Sequence, residues 1–339
     1  MREVVLGKSG LRVSAVGFGG IPIQRLTEEE AVKVIQRSLD LGVTFIDTAA
    51  GYTTSQARIG KAIKGRRDGL VLATKSGMVG KEEITRDIEQ SLRDMGTDTI
   101  DLFQFHGTSH KEKWEAIAAP GGAMEGVLAA RGRGDIQHIG ITSHSLDFAL
   151  ELVEEDIFET IQFPFNLVTC EPAEKLIPRA RERNLGFIVM KPMCGGLYDN
   201  AELAFKFLNG YPDVVAIPGI EKAEEIEEIV ALVESGATLE GAEKEKAESI
   251  AAELGKEFCR RCGYCEPCPQ GVAVSTAMIF ESLVKRLPDE QMAKRAPRFA
   301  ENLAKCVECG ECEEKCPYDL PIMERLKKVA ATVEQLIGK

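Results

Sequence analysis

Eight of the ten cysteines fall between Cys259 and Cys316, in two runs. The later run is Cys306-x2-Cys309-x2-Cys312-x3-Cys316-Pro317. Its spacing is the one by which bacterial iron–sulfur sequences turn three thiolates toward one cluster and send the fourth to another. The earlier run, Cys259-x2-Cys262-x2-Cys265-x2-Cys268-Pro269, repeats the pattern with its last gap one residue shorter. Eight thiolates match two [4Fe–4S] clusters at four each. The expected exchange puts Cys259, Cys262, Cys265 and Cys316 on one cluster, and Cys306, Cys309, Cys312 and Cys268 on the other. Two structural zinc sites are the alternative, although zinc usually joins two CxxC knuckles across a longer loop. Cys170 and Cys194 stand outside the runs; Cys194, just after a predicted strand end, reads as a small, semi-buried residue.

A second set of reactive types lies earlier in the chain. Asp47 and Tyr52 follow one apolar run (FIDTAAGY), Lys75 closes the next (ATKSG), and His106 the one after (FQFHG). Alone, each is ordinary: a lone lysine is more often a salt-bridge partner, and a lone buried histidine a satisfied core residue. Together, at the ends of adjacent strands, they could converge on one pocket and suit proton transfer. A phenol with a pKa near 10 is a weak acid at neutral pH. An ammonium beside it, itself paired with a carboxylate, favours the phenolate and makes the phenol a better proton donor. General acid–base help of this kind is typically worth about 10²–10⁴-fold. An imidazole nearby can donate a hydrogen bond to an oxygen on which charge develops.

These residues need a frame that brings successive strand ends together. The first 235 residues or so contain eight β-branched apolar runs: 13–19, 43–48, 70–75, 100–106, 136–142, 160–165, 186–191 and 214–218. Several are followed by stretches with helical spacing, such as TEEEAVKVIQRSLDLG and EKAEEIEEIVALVES. Strand–helix alternation implies parallel strands with helical crossovers. Eight such units suit a (β/α)8 TIM barrel, in which chemistry sits at the C-terminal ends of the strands. The leading VVLGKSGLRV reads as a hairpin closing the barrel bottom. Thr27 and Glu30 have capping-box spacing, and Gly42 stops the same helix. The expected division is a barrel over 1–238, then a helical linker with a small, mainly helical, ferredoxin-like iron–sulfur domain over 239–339.

Composition narrows the setting. Hydrophobic residues make up 44% and charged residues 28%, as in ordinary globular chains. The net charge of −12 argues against nucleic acid as a partner. No apolar run is long enough to span a membrane. The start, MREVVLGKSGLRV, has no secretory apolar core, and clustered cysteines suit metal ligation in a reducing compartment. The expectation is a cytoplasmic protein.

Asp47, Tyr52, Lys75 and His106, each at a strand end, together with the segment GVTFIDTAAGY, resemble the catalytic tetrad of the aldo/keto reductases over roughly residues 1–235. With the cysteine runs, the whole chain resembles the subgroup that carries a C-terminal ferredoxin-type dicluster domain. The resemblance implies an oxidoreductase that moves hydride between a nicotinamide and a small carbonyl or alcohol substrate. It also implies nicotinamide contacts: Thr142 and Ser143 (GITSH) and Gln162 (TIQFPFN) at the carboxamide, with Asn166 in the same motif. Met190 stands where the family often sets an aromatic ring against the nicotinamide, and Lys191 follows, within reach of a phosphate. Near the adenosine end, Gly219 and Glu225 replace basic residues that hold a 2′-phosphate in many relatives, leaving Lys222 as the base close by. A carboxylate there repels a phosphate, so NADH, or no dinucleotide, gains weight against NADPH. The sequence leaves that choice, and a flavin, open.

The two halves sit awkwardly together. Hydride carries two electrons at once, whereas an iron–sulfur cluster carries one. A direct circuit therefore needs an intermediary such as a flavin. The alternatives to an NAD(P)H-dependent reductase are an electron-transfer subunit in a larger, flavin-containing redox complex with a ferredoxin-like partner, and an iron–sulfur redox sensor on a barrel scaffold.

Overall fold

The structure, a computed structural model, describes residues 1–338. It divides into two compact units, Met1–Glu243 and Lys244–Lys339.

The first unit opens with a two-stranded antiparallel hairpin, β1 (Glu3–Val5) and β2 (Arg12–Ser14), in which Val4 faces Val13. Eight parallel strands follow in chain order: β3 (Phe18–Gly19), β4 (Phe45–Asp47), β5 (Val71–Ser76), β6 (Ile100–Phe105), β7 (Ile136–Thr142), β8 (Thr160–Pro164), β9 (Gly186–Met190) and β10 (Val214–Ala216). Each pairs with its sequence neighbours. The ring closes where Gly17 N–H donates to Ala216 O at 2.7 Å and Gly19 N–H to Pro218 O at 2.8 Å. Bridges Val16–Ala216 and Gly19–Gly219 mark the same seam. This is the (β/α)8 TIM barrel.

The crossovers are α1 (Glu28–Asp40), α2 (Ser55–Ala62), α3 (Lys81–Met95), α4 (Lys111–Ala118), α5 (Ala123–Arg133), α6 (Leu146–Leu152), α7 (Leu176–Glu182), α8 (Ala201–Asn209) and α9 (Ala223–Ser235). Helix α1 starts where the sequence predicts. Thr27 Oγ1 accepts from Glu30 N–H, and Glu30 Oε2 accepts from Thr27 N–H at 2.8 Å. The pair satisfies amides that a helix start otherwise leaves open. Inside, α1 buries Ala31, Val34, Ile35 and Leu39, the 3.6-residue stripe that packs a helix onto a sheet. Phe18, Phe45, Phe103 and Phe105 are fully buried in the same unit. Burial of side chains this large is worth about 1.5–3 kcal/mol each.

The second unit is helical: α10 (Ala242–Gly255), beginning just before the unit boundary, then α11 (Val274–Ala277), α12 (Phe280–Arg286), α13 (Asp289–Leu303), α14 (Glu311–Glu314) and α15 (Ile322–Ile337). Its core gathers Met278, Phe280, Met292, Leu303, Leu320, Leu326 and Val333, and six cysteines of the two runs pack against it half-buried. No helix among the described residues is long and apolar enough to cross a membrane.

Candidate active site and cysteine pockets

Asp47 is the last residue of β4, and Lys75 the fifth of β5. Both face the barrel interior, at 3% and 1% exposure. Lys75 Nζ donates to Asp47 Oδ1 at 2.5 Å and to Thr48 O at 2.7 Å. The other carboxylate oxygen, Asp47 Oδ2, accepts from Gln104 Nε2 at 3.2 Å. Burial pushes the Asp47 carboxyl above its ordinary range, and the Lys75 charge and the two hydrogen bonds oppose that. The ammonium also lies 5.2 Å from the centre of the Tyr52 ring. Tyr52 in turn meets His106 edge to face, ring centres 5.9 Å apart at 81°. The structure thus brings the four strand-end residues together at one end of β4, β5 and β6.

Gln104 is a partner that sequence reading passed over. It lies two residues before His106 on β6, so strand periodicity points both inward. Opposite it on β7 stands Gly140. A Cβ at Gly140 would come within 3.1 Å of Gln104 Cγ and 2.1 Å of Thr160 Oγ1. Lys113, from α4, was passed over as well. Its Nζ donates to His106 O at 2.6 Å and Gly107 O at 3.3 Å, and burial pulls its pKa down.

The remaining barrel residues divide. Gln162, on β8, is buried, and its Oε1 has no hydrogen-bond partner among the described residues. Thr142 lies opposite it on β7, and Ser143 N–H donates to Gln162 O at 3.1 Å. Thr142 Oγ1 accepts from Gly107 N–H at 2.7 Å, so this hydroxyl also anchors the loop after His106. Ser143 Oγ lies 3.4 Å from Ser109 Oγ on that same loop. Asn166 is occupied structurally. Its Oδ1 accepts from Val168 and Thr169 N–H, and its Nδ2 donates to Lys191 O at 2.9 Å. The first two bonds close the loop after β8; the third reaches the turn after β9, where Lys191 (φ 56°) and Cys194 (φ 49°) have left-handed backbone and Met190 is half-buried.

At the adenosine end named from the sequence, Gly219 packs so closely that a Cβ would stand 2.7 Å from Pro22 Cγ. Lys222 is exposed at the start of α9. Glu225 turns back on that helix start, accepting from Glu221 N–H at 2.8 Å and Lys222 N–H at 3.1 Å. A carboxylate thus sits on amides that an incoming anion would otherwise use.

In the second unit, one pocket is lined by Cys259, Cys262, Cys265 and Cys316, with Arg260, Tyr264 and Tyr318 in its wall. The other is lined by Cys268, Cys306, Cys309 and Cys312, and Cys265 reaches it too. Burial pushes the Cys265 thiol up to about 12, helped by Glu266 and by neighbouring cysteines. Cys262 and Cys312 are also raised, mainly by burial. Thiols crowded this way become thiolates only when cations compensate them. The thiols ring a space instead of converging on a point: no three His, Cys, Asp or Glu side chains among the described residues are set to hold a single metal ion.

The sequence profile of the aldo/keto reductase family matches residues 15–205, and that of a 4Fe-4S dicluster domain matches 258–321. Among curated proteins, the chain is 29% identical over 216 residues to aldo-keto reductase YhdN of Bacillus subtilis (strain 168), covering 58% of this chain and 63% of that one. The chain thus spans less than two thirds of that relative. Among solved structures, it is similar to the holo form of aldo-keto reductase AKR11C1 from Bacillus halodurans, with 26% identity, a TM-score of 0.63, and coverage of 74% of this chain and 96% of that one. An aldo/keto reductase from Klebsiella pneumoniae, solved in complex with NADP and acetate, shares the fold at 21% identity and a TM-score of 0.62, covering 74% and 95%.

Proposed function

The chain belongs to the aldo/keto reductase family, and from that premise we propose that it is an oxidoreductase that transfers hydride between a nicotinamide and a small carbonyl or alcohol, with Tyr52 as the general acid and base. The observation that carries this reading is the buried Asp47–Lys75 pair set 5.2 Å from the Tyr52 ring. In reduction, Tyr52 gives its proton to the substrate oxygen. The negative charge left on the phenol is stabilised by the Lys75 ammonium, which Asp47 and the Thr48 carbonyl hold in place. Gln104 keeps the Asp47 carboxylate from turning away. His106, edge-on to Tyr52, steadies the carbonyl oxygen and its developing charge. A bound nicotinamide supplies the hydride. The unpartnered Gln162 Oε1 fits one N–H of its carboxamide, with Thr142 and Ser143 beside it. Met190 and Lys191 border the same site. The Glu225 carboxylate on the Glu221 and Lys222 amides just ahead of α9 favours NADH over a cofactor with a 2′-phosphate, with Gly219 close by.

The two cysteine pockets fit two [4Fe–4S] clusters with the exchanged sets Cys259, Cys262, Cys265, Cys316 and Cys268, Cys306, Cys309, Cys312. Such clusters supply single electrons, so joining them to hydride chemistry calls for a flavin or a redox partner such as a ferredoxin-like protein. Tyr52→Phe tests the central claim. Turnover of a competent aldehyde falls about 10²–10⁴-fold, while NADH affinity, read by fluorescence titration, stays within about twofold. A variant that keeps the wild-type rate overturns the assignment.

A further inference from the structure

One charged group at the mouth of the barrel is unused by the chemistry above. Lys113 Nζ rests against two backbone carbonyls, His106 O at 2.6 Å and Gly107 O at 3.3 Å. From the β5 side it lies 3.8 Å from where a Gly77 Cβ would stand. The ammonium is therefore wedged between the loops that leave β5 and β6, the strands that deliver Lys75 and His106. Among the described residues it forms no ion pair with a carboxylate, unlike Lys61, Lys81 and Lys206, each of which has a glutamate within 3.0 Å. Carbonyl oxygens carry partial charge and leave most of the ammonium's charge uncompensated. Half-burial makes that costly, because a desolvated charge seeks a counter-charge. The next residues on the β5 loop, Met78 and Val79, are exposed apolar side chains.

We propose that Lys113 receives a carboxylate of the substrate, so that the carbonyl compounds this barrel prefers are acids whose C=O reaches Tyr52 and His106 while their anionic end meets the ammonium. This rests on the carbonyl-reducing reading and names its substrate class. The exposed Met78 and Val79 suit an apolar body between the two ends. A hydrogen bond to a charged partner is among the stronger ones, and its loss corresponds to about tenfold or more in affinity.

The test uses the full-length, cluster-loaded protein purified without oxygen. Benzoate and its neutral isostere benzamide are titrated by calorimetry. Wild type binds benzoate about tenfold or more tightly than benzamide; Lys113→Met removes the difference and Lys113→Arg keeps part of it. Then 4-carboxybenzaldehyde and benzaldehyde are compared as substrates. The ratio of their kcat/KM values falls about tenfold in Lys113→Met. If Lys113 serves only to clamp the loop after His106, both aldehydes slow together and the ratio holds, which overturns the proposal. Equal affinity of wild type for benzoate and benzamide overturns it too, without any variant. Should neither aldehyde be reduced while benzoate still outbinds benzamide, the reductase reading falls and the anion site stands.

Discussion

In the barrel, the buried charges beside Tyr52 are already paired. The Lys75 and Asp47 side chains are 1% and 4% exposed, and bonded at 2.5 Å. In the helical unit, the reactive groups are thiols that crowd one another, with Cys262, Cys265 and Cys312 all pushed upward. One site is organised by its own side chains: Asp47 and Thr48 fix the Lys75 ammonium beside the Tyr52 ring. The other is a pair of cysteine-lined pockets, where any cation taken up compensates the thiols and so contributes to folding. Preorganised electrostatics favour catalysis, because no reorganisation is needed as charge develops. Thiols waiting for cations favour a resident cluster.

The sharpest way to break this contrast is Lys75→Met, which leaves the Asp47 carboxylate buried without its counter-charge. Breaking a buried pair from one side costs about 3–5 kcal/mol, and we expect denaturant unfolding of the barrel to report a loss of that size. Carbonyl turnover falls at least about 10²-fold along with it. The pH dependence has a definite sign. Burial already raises the Asp47 carboxyl, and removing Lys75 raises it further. A group whose folded pKa exceeds its unfolded one is penalised when ionised, so the deficit is greatest near neutral pH. It shrinks as pH falls toward about 4, the unfolded aspartate value. A deficit that grows on acidification would mean that the pair does not hold the site together.

A smaller change, confined to one pocket, sharpens the other side of the comparison. Cys268→Ser removes a thiol from the pocket that Cys306, Cys309 and Cys312 line. We expect iron and acid-labile sulfide to drop by about half, from about eight of each per chain to about four. Cys316→Ser produces the same loss from the pocket of Cys259, Cys262 and Cys265. The electron paramagnetic resonance signal that survives then differs between the two variants. Identical surviving signals would discard the exchanged ligation. Chelation of all iron unfolds the helical unit by circular dichroism and leaves the barrel's melting transition in place.

How far the sequence speaks differs between the regions for physical reasons. Barrel strands were legible because each is a β-branched run buried on both faces, as β5 and β6 are throughout. Closure was not legible: β3 contributes only Phe18–Gly19, and the seam rests on backbone bonds from Gly17 and Gly19 that carry no side-chain signature. Asp47, Tyr52, Lys75 and His106 could be read together because they stand at or just past the ends of three successive strands. Gln104 could have been found by stepping back two residues from His106. Lys113 could not, since its partners are main-chain oxygens reached by a loop that folds back. Asn166 was read in the nicotinamide motif without a set role; its side chain accepts from Val168 and Thr169 N–H and donates to Lys191 O, main-chain partners that leave no mark in the composition.

The mildest test stays within the barrel and sets one carboxylate against another. Glu159 immediately precedes β8, next to His138 of β7, whose Nδ1 lies 2.6 Å from Glu159 Oε2. Arg131 stands 3.8 Å from the other oxygen, Oε1. Burial acts on Glu159 as on Asp47, upward, but here the His138 contact, the Ile139 amide and Arg131 outweigh it and hold the carboxyl below its ordinary range. The sign of the linkage is therefore reversed. Glu159 contributes stability above the unfolded glutamate value of about 4.3 and loses it as pH falls through the lower folded pKa. Glu159→Gln should lower the melting temperature by about 2–4 °C at pH 7, and the gap to wild type should close as pH falls below the unfolded glutamate value of about 4.3. Two carboxylates in one barrel would then respond to acid in opposite senses, because Asp47 is dominated by desolvation and Glu159 by its partners. A gap that widens on acidification would show that Glu159 resembles Asp47 after all.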